Sequence, residues 1–228
     1  MPSLKIALIA LLILLQSCSL NQNDDNEIYI PGREFHYVIY YTDSTDAVLK
    51  IDSLVLKATD GFYPQRSQTA IDWIHYQTSE NDTTVVKETT GVVDSKGRYF
   101  IHPPREGDLH ILSFAEFPTI NTSVFKDTTS KTNSSGSVTM AKTYKGKAIT
   151  NVETTQEYQG KIAIDIPFKK NYHVHHLRAT AKSELGTIFG NYYFSEQLGF
   201  VRLDYELPDK TGISIQLSGI NFEISTTE

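Results

Sequence analysis

Apolar and polar side chains alternate along most of this chain, and the alternation predicts half-buried antiparallel strands. In residues 199–207, valine, leucine and tyrosine alternate with arginine, aspartate and glutamate. The two sets therefore face opposite sides of one strand. Ile213, Ile215 and Leu217 repeat the pattern after a turn, which predicts a hairpin with one face towards solvent.

The last ninety residues show this pattern most clearly, with short turn signals between the strands. Strands are predicted at 137–144, 147–157, 160–168, 171–182, 186–195, 199–207 and 212–224. Such a meander predicts a mainly β fold, an antiparallel meander that forms one strongly curved sheet or half-barrel. A two-sheet β-sandwich is the alternative, and little helix is expected outside the N-terminal leader.

The N-terminal half alternates less regularly. Strands are predicted at 34–41, at 70–76 and on both sides of a turn at 94–97. The apolar residues Val48, Ile51, Leu54 and Leu56 indicate another strand. Because the spacing slips between Ile51 and Leu54, this stretch contains either a bulge or a short helix.

The middle of the chain is harder to assign. Residues 109–117 are densely apolar and fit either a buried strand or a short helix. Residues 121–137 are rich in Thr, Ser, Asn and Lys, which predicts an exposed loop anchored by Val124 and Phe125. Since composition does not change across this loop, one β-rich domain is expected over 31–228.

The N-terminus carries the pattern of a secretion signal. Lys5 precedes the apolar run 6–15, which is too short to span a bilayer, so 1–17 is predicted to be a signal peptide. Cys18 is the only cysteine in the chain, which excludes an intramolecular disulfide. The sequence Leu-Gln-Ser-Cys at 15–18 resembles the lipobox of bacterial lipoproteins. The resemblance implies removal of the leader and attachment of diacylglycerol and palmitate to Cys18.

Residues 18–30 are polar and are expected to form a flexible lipidated tether. Ser19, the residue after the cysteine, fits onward sorting to the outer membrane by the same resemblance. The acidic residues Asp24, Asp25 and Glu27 are similar to surface-export signals of some Gram-negative lipoproteins. The expected location is therefore the cell envelope, as an outer-membrane lipoprotein whose leaflet stays open.

The charge distribution excludes one class of partner. The net charge is −6, and apart from Lys169 and Lys170 the basic residues are scattered among acids. Because nucleic-acid binding needs clustered positive charge, no nucleic-acid partner is expected. The expected partners are the membrane, through the N-terminal lipid, and an envelope protein or an apolar ligand.

Three segments of the body, 99–106, 114–120 and 192–205, resemble recurring segments of uncharacterised β-rich envelope lipoproteins of bacteria. The curved-sheet plan of those proteins is similar to lipoprotein-carrier and half-barrel folds. The resemblance implies a fold and a location, and it assigns no catalytic residue.

A cluster of histidines is the first candidate site. His173 and His175 fall on one face of a predicted strand, while His176 faces away. Two imidazoles on one face can bind a metal if a third ligand, such as His36, His75 or a carboxylate, completes the site. A polar strand face near a rim is the alternative.

The second candidate is the segment His-Pro-Pro-Arg at 102–105. Two prolines fix an extended backbone, so His102 and Arg105 would be held ready to bind a ligand. The alternative is a rigid end to a strand, with Arg105 paired to Glu106 or Asp108.

Catalytic sequence motifs for a serine or metal hydrolase are absent, and no cofactor is expected. Tyr192, Tyr193, Phe194 and Phe200 could line a concave face that suits an apolar ligand, or they could be the core. The sequence thus favours a non-catalytic binding or interaction module. A half-barrel carrier of an apolar or lipid ligand and an envelope hydrolase are the alternatives.

Overall fold

The computed structural model describes residues 27–63, 68–79, 82–95, 97–125 and 133–222. These residues form one antiparallel sheet of twelve strands. The strands are β1 (Arg33–Thr42), β2 (Val48–Tyr63), β3 (Gln68–Thr78), β4 (Thr83–Ser95), β5 (Arg98–Ile101), β6 (Thr119–Asn121), β7 (Asn133–Tyr144), β8 (Lys147–Ile166), β9 (Lys169–Ser183), β10 (Gly186–Ser195), β11 (Gly199–Glu206) and β12 (Gly212–Phe222). The predicted signal peptide 1–17, Cys18, most of the predicted tether and residues 126–132 lie outside the described residues.

The sheet consists of two sequential meanders joined at its centre. Strands β1 to β6 form one meander and β7 to β12 the other, and β1 pairs with β12 between them. The ends of the strand order are therefore β6 and β7, which follow each other along the chain. The prediction of an antiparallel meander forming a strongly curved sheet is confirmed.

Curvature brings distant strands into contact across the core. The ring of Tyr99 on β5 lies 4.7 Å from that of Phe194 on β10. The backbone of Thr119 on β6 exchanges two hydrogen bonds with the side-chain amide of Gln156 on β8. One face of the sheet is thus buried against itself, as its alternating buried positions require.

In the described chain, two 3₁₀ helices complete the core. The first, Gly107–Phe114, buries Leu109, Ile111, Leu112 and Phe114 against the concave side of the sheet. It resolves the ambiguity of 109–117 in favour of a short helix for most of that stretch. The second is Thr122–Phe125, in which Val124 is buried and Phe125 packs against the core. Among the described residues, no helix is long and apolar enough to cross a membrane.

Several strands differ from the sequence prediction: β4 begins at Thr83, ahead of the predicted hairpin, and β6 was not predicted. Residues 147–166 form one strand rather than two, because Gly160 adopts φ +107° within a bulge rather than a turn. Between Ile51 and Leu54, β2 has neither the predicted bulge nor a helix, because Asp52 rather than Ile51 is buried there; its irregularity lies later, between Ala58 and Phe62. Strand β7 begins at Asn133, so residues 133–137 are strand where a loop was predicted.

The chain enters the sheet through a buried contact, here named the Asp94 clamp. The backbone N–H groups of Ile28 and Tyr29 both donate to the carboxylate of Asp94, the latter at 2.9 Å. Arg33 donates to the carbonyl of Ile28 at 2.6 Å. Tyr29 also packs against Gly199, whose φ of +75° and close neighbours leave no room for a side chain. Ile28 and Tyr29, which fall within the predicted flexible tether 18–30, are therefore buried in the core and fixed near the start of β1 and against the β10–β11 turn.

Candidate functional site

A cavity with the character of a ligand site lies where the two ends of the strand order meet, and it is named the seam pocket here. Its volume is about 410 Å³, within the range of small-molecule sites. The lining residues are Tyr63, Phe100, His102, Arg105, Ser113, Ala115, Glu116, Phe117, Thr119, Val138, Lys142, Val152 and Thr154. The structure thus brings both members of the predicted ligand-binding pair, His102 and Arg105, to one pocket.

His102 forms the aromatic part of this pocket. Its ring centroid lies 4.8 Å from that of Phe100, 4.9 Å from that of Phe117 and 6.0 Å from that of Tyr63. Its backbone carbonyl accepts a hydrogen bond of 3.0 Å from the indole N–H of Trp73, which lies in the core. The segment after β5 is therefore tied down, and the four rings make a pre-formed apolar surface.

Arg105 has a different partner from those considered from the sequence. Its backbone N–H and its side chain donate to the carboxylate of Glu88 on β4, at 2.6 Å and 3.2 Å. Its guanidinium also lies 5.6 Å from the ring centroid of Phe117. Arg105 is thus paired with Glu88 rather than with Glu106 or Asp108. Its guanidinium packs against the aromatic ring of Phe117.

Polar groups occupy the floor of the seam pocket. The hydroxyl of Ser113 is buried and has no hydrogen-bond partner among the described residues. Burial raises the pKa of the Glu116 carboxyl above its ordinary value, although a hydrogen bond with Thr154 opposes the shift. The floor can therefore offer a hydroxyl and a carboxyl to a bound molecule.

The histidine cluster sits at the edge of another cavity, of about 510 Å³, which both His173 and His175 line. His173 is exposed, whereas His175 is buried. The two nitrogens of His175 lie 2.9 Å from the hydroxyl of Tyr158 and 3.0 Å from the carboxylate of Glu196. The ring of Phe125 stacks on His175 with centroids 3.5 Å apart.

A metal site at this cluster is not assembled in the structure. Within the described ranges, no group of three or more His, Cys, Asp or Glu side chains could hold a metal ion. His36 and His75, considered as third ligands, lie on β1 and β3, away from β9 in the strand order. The metal prediction for His173 and His175 stays a prediction.

A charged network that the sequence analysis missed lies under the first 3₁₀ helix. One carboxylate oxygen of Asp52 accepts hydrogen bonds from His75 and Lys50, each at 2.9 Å. Its other oxygen accepts from the backbone N–H of Thr78 at 2.8 Å. The hydroxyl of Tyr41 lies 3.5 Å from the same nitrogen of His75. Tyr41, Lys50, Asp52 and His75 are named the N-terminal quartet here.

Burial and hydrogen bonding set the ionisation of this quartet. Burial opposes ionisation of Asp52, but the hydrogen bonds from Thr78, Lys50 and His75 outweigh it and lower its pKa. Burial lowers the pKa of His75 despite the nearby carboxylate. Asp52 is thus held charged and His75 neutral near pH 7.

The aromatic residues of β10 and β11 divide between the core and the surface. Tyr192, Phe194 and Phe200 are fully buried, whereas Tyr193 stacks on His176 outside the core. The hydroxyl of Tyr192 donates to the carbonyl of Glu116. The concave side of the described sheet is therefore occupied by the protein's own side chains.

Comparison with known proteins identifies no family. No family model matches the chain, and no curated protein matches it. One solved structure that is similar in fold is a candidate exported protein with a YmcC-like fold from Bacteroides fragilis. It shares 9% sequence identity at a TM-score of 0.48, over 84% of this chain and 96% of that one.

Proposed function

We propose that this protein is a lipid-anchored protein of the bacterial cell envelope that binds a small molecule in the seam pocket without transforming it. The observation that carries the binding function is the seam pocket itself. Four aromatic rings line one side of it, and the hydroxyl of Ser113 and the carboxyl of Glu116 lie on its floor. This combination of an apolar wall and a few convergent polar groups is typical of ligand sites.

The anchor is supported by the sequence around Cys18. A leader of signal-peptide type precedes the only cysteine, in a lipobox-like context. Two or more acyl chains hold a protein on a membrane stably, whereas one does so only weakly. An outer-membrane location follows from the same resemblance.

The lining of the pocket indicates the chemistry of its ligand. A flat apolar body can lie against the surface formed by the packed rings of His102, Phe117 and Phe100. A hydroxyl, amide or amine on that body can pair with Ser113 and Glu116. We therefore propose an amphipathic ligand with an aromatic or cyclic body and one hydrogen-bonding end.

At the seam pocket, the geometry favours binding over the two alternatives. A carrier of acyl chains needs an open concave face, but buried rings such as Trp73, Tyr192 and Phe35 occupy it. A carboxylate pair for hydrolysis needs two acids facing one cavity. In the described part of the chain, Glu116 is the one acid that lines the seam pocket.

Filling the pocket tests the binding function. Val138 is 49% exposed at the pocket rim, and Val85 on β4 is 47% exposed outside the pocket. The aromatic dye 8-anilinonaphthalene-1-sulfonate serves as the probe, with binding followed by its fluorescence. Val138→Trp is expected to weaken dye binding by about tenfold or more, because a filled cavity loses the stacking surface. Equal binding by Val138→Trp and the control Val85→Trp would contradict the proposal.

Changing the cysteine tests the anchor. Cys18→Ala removes the acyl acceptor, so the precursor is expected to keep its leader and to lack lipid. Mass spectrometry of the N-terminal peptide measures both properties. Normal processing and membrane attachment of the variant would overturn the lipoprotein assignment.

A further inference from the structure

The β8–β9 hairpin extends past the end of β10 in the sheet. Within the described residues, β7 pairs with β8 as far as Glu157, and β10, which ends at Ser195, pairs with β9 as far as His175. From there to the tip, the described strands β8 and β9 pair with each other alone. Residues 162–174 thus form a two-stranded extension, named the ribbon here.

The ribbon lies at the end of the molecule where the predicted tether joins the sheet. The hydroxyl of Tyr172 on the ribbon lies 2.7 Å from that of Ser195, at the end of β10. The β10–β11 turn that follows packs against Tyr29, whose hydroxyl accepts from the backbone N–H of Phe200 at 3.3 Å. Glu27, where the described chain begins, is only nine positions after Cys18. Nine extended residues span about 30 Å at most, so a lipid on Cys18 keeps this end near the membrane.

The tip of the ribbon carries the chemistry of a membrane interface. Phe168, at the turn, is 48% exposed, and Lys169 and Lys170 follow it directly. The side chain of Lys170 is 81% exposed and lies 3.0 Å from Asp165, an exposed pair that contributes little. An exposed aromatic ring beside two ammonium groups can enter the headgroup region while the ammonium groups meet phosphates.

The base of the ribbon extends this basic surface. Lys161, Lys169 and His173 line the cavity of about 510 Å³, with Glu196 as the acid on its wall. Lys169 lies 4.7 Å from the ring centroid of Tyr172. The local positive charge contrasts with a chain whose net charge is −6, and it complements an anionic surface.

We propose that the ribbon tip, Phe168 with Lys169 and Lys170, contacts the anionic phospholipid surface of the membrane in which the protein is anchored. The inference rests on the proposed lipid anchor and deepens it. A lipid alone would leave the domain free to rotate on its tether. The ribbon adds a second point of contact, which orients the sheet and the seam pocket relative to the bilayer.

A fluorescent probe at the tip tests this contact. The processed, lipidated protein carrying Phe168→Cys is labelled with an environment-sensitive dye, and the labelled peptide is verified by mass spectrometry. The protein is reconstituted into vesicles of phosphatidylethanolamine and phosphatidylglycerol, some containing brominated lipids. A blue shift and quenching by brominated lipid are expected at position 168.

Phe189 provides the matched control. It is 39% exposed, and Lys210 lies beside its ring at 5.9 Å, but it sits near the opposite end of the sheet. A probe at Phe189→Cys is expected to show neither change. Equal signals at the two positions, or a blue shift at 168 without vesicles, would overturn the proposal. A blue shift without vesicles would indicate that the dye contacts the protein rather than lipid.

The lysines are tested with the same probe. Each basic residue near an anionic surface favours contact about fivefold, so Lys169→Ala with Lys170→Ala is expected to reduce the contacting fraction relative to the free fraction about 25-fold. The control pair Lys145→Ala and Lys210→Ala, at the opposite end of the sheet, is expected to leave the ratio of contacting to free protein unchanged. A signal equally strong on phosphatidylcholine vesicles would overturn the anionic preference.

The anchor and the ribbon fail in different ways. If mass spectrometry finds no lipid on Cys18, the proposed anchor is wrong, while the probe at position 168 still reports whether the tip meets added vesicles. If Cys18 carries lipid and the probe at position 168 stays in water, the anchor stands and the ribbon contact is wrong.

Discussion

Two sites in this molecule each combine a tyrosine, a lysine, a histidine and a carboxylate in different surroundings. The N-terminal quartet joins Tyr41, Lys50, Asp52 and His75. The C-terminal quartet joins Tyr158, Lys161, His175 and Glu196, with Lys161 3.5 Å and His175 3.0 Å from the same carboxylate oxygen. In each, a buried histidine contacts a carboxylate, and the carboxylate also contacts a lysine.

The difference between the quartets is the exposure of the acid. The Asp52 side chain is 0% exposed, whereas that of Glu196 is 54% exposed. A buried carboxylate has lost its water and depends on its protein partners, whereas an exposed one can exchange them for solvent. The same arrangement of side chains is therefore expected to stabilise the fold at Asp52 and to contribute little stability at Glu196.

The largest expected effect is at Asp52. Asp52→Ala leaves His75 and the backbone N–H of Thr78 without their acceptor, and it leaves Lys50 with Asp108 alone. A decrease of about 3 kcal/mol in the free energy of unfolding is expected. This value is at the low end of the range for breaking a buried ion pair, because Lys50 is partly exposed. Urea denaturation at neutral pH measures it. A loss below about 1 kcal/mol would show that burial does not separate the quartets.

Acidification is expected to weaken both quartets through their histidines. Burial lowers the pKa of His75 and, against the opposing carboxylate of Glu196, that of His175. The unfolded chain then binds protons more readily, so stability is lost as the pH falls below about 6.5. Asp52 has a lowered pKa, so its contribution persists until the pH falls below about 4. Denaturation between about pH 7 and 5 measures the loss of stability that comes from the histidines. The double variant His75→Gln and His175→Gln is expected to lose less stability over this pH range.

A smaller effect is expected at Phe125, which covers His175 in the C-terminal quartet. Phe125→Ala removes the stacked ring and is expected to cost about 1 kcal/mol. Because water then reaches the imidazole, the pKa of His175 is expected to rise towards its ordinary value. NMR titration of the histidine ring signals measures the shift. An unchanged pKa would mean that Phe125 is not what excludes water from His175.

The smallest effect is expected at Glu196. Glu196→Ala removes the exposed acid and is expected to change the free energy of unfolding by less than about 1 kcal/mol. Since the carboxylate favours the protonated imidazole, the pKa of His175 is expected to fall further. Glu196→Ala is the direct counterpart of Asp52→Ala. A similar decrease in the free energy of unfolding for both variants would show that exposure of the acid does not distinguish the quartets.

Much of the sheet was predictable because alternation reports which face is buried. Strand β10 has the predicted bounds, 186–195, and β11 differs by one residue. The prediction failed where a glycine is ambiguous: Gly160 permits a turn, but the ladder continues past it through a bulge. Local sequence cannot separate these outcomes because they depend on the neighbouring strand.

The N-terminal quartet left a trace in the sequence that only the structure explains. The slip in spacing between Ile51 and Leu54 arises because Asp52 takes the inward position where an apolar residue was expected. His75 likewise follows Ile71 and Trp73 on the buried face of β3. A titratable residue at a buried position of a strand indicates that it has a polar partner. That partner lies on another strand, and the register between the strands decides which residue it is.

The Asp94 clamp has a mechanical consequence for a protein held by its N-terminus. The chain leaves the clamp directly into β1, which lies between β2 and β12 at the centre of the sheet. A pull along this strand loads its two hydrogen-bonded ladders in shear, so many bonds must yield together. A terminal strand at a sheet edge could instead be peeled away bond by bond. Tension on the N-terminus is thus carried by the clamp on β4 and by the central strand β1, and not by a strand at an end of the strand order.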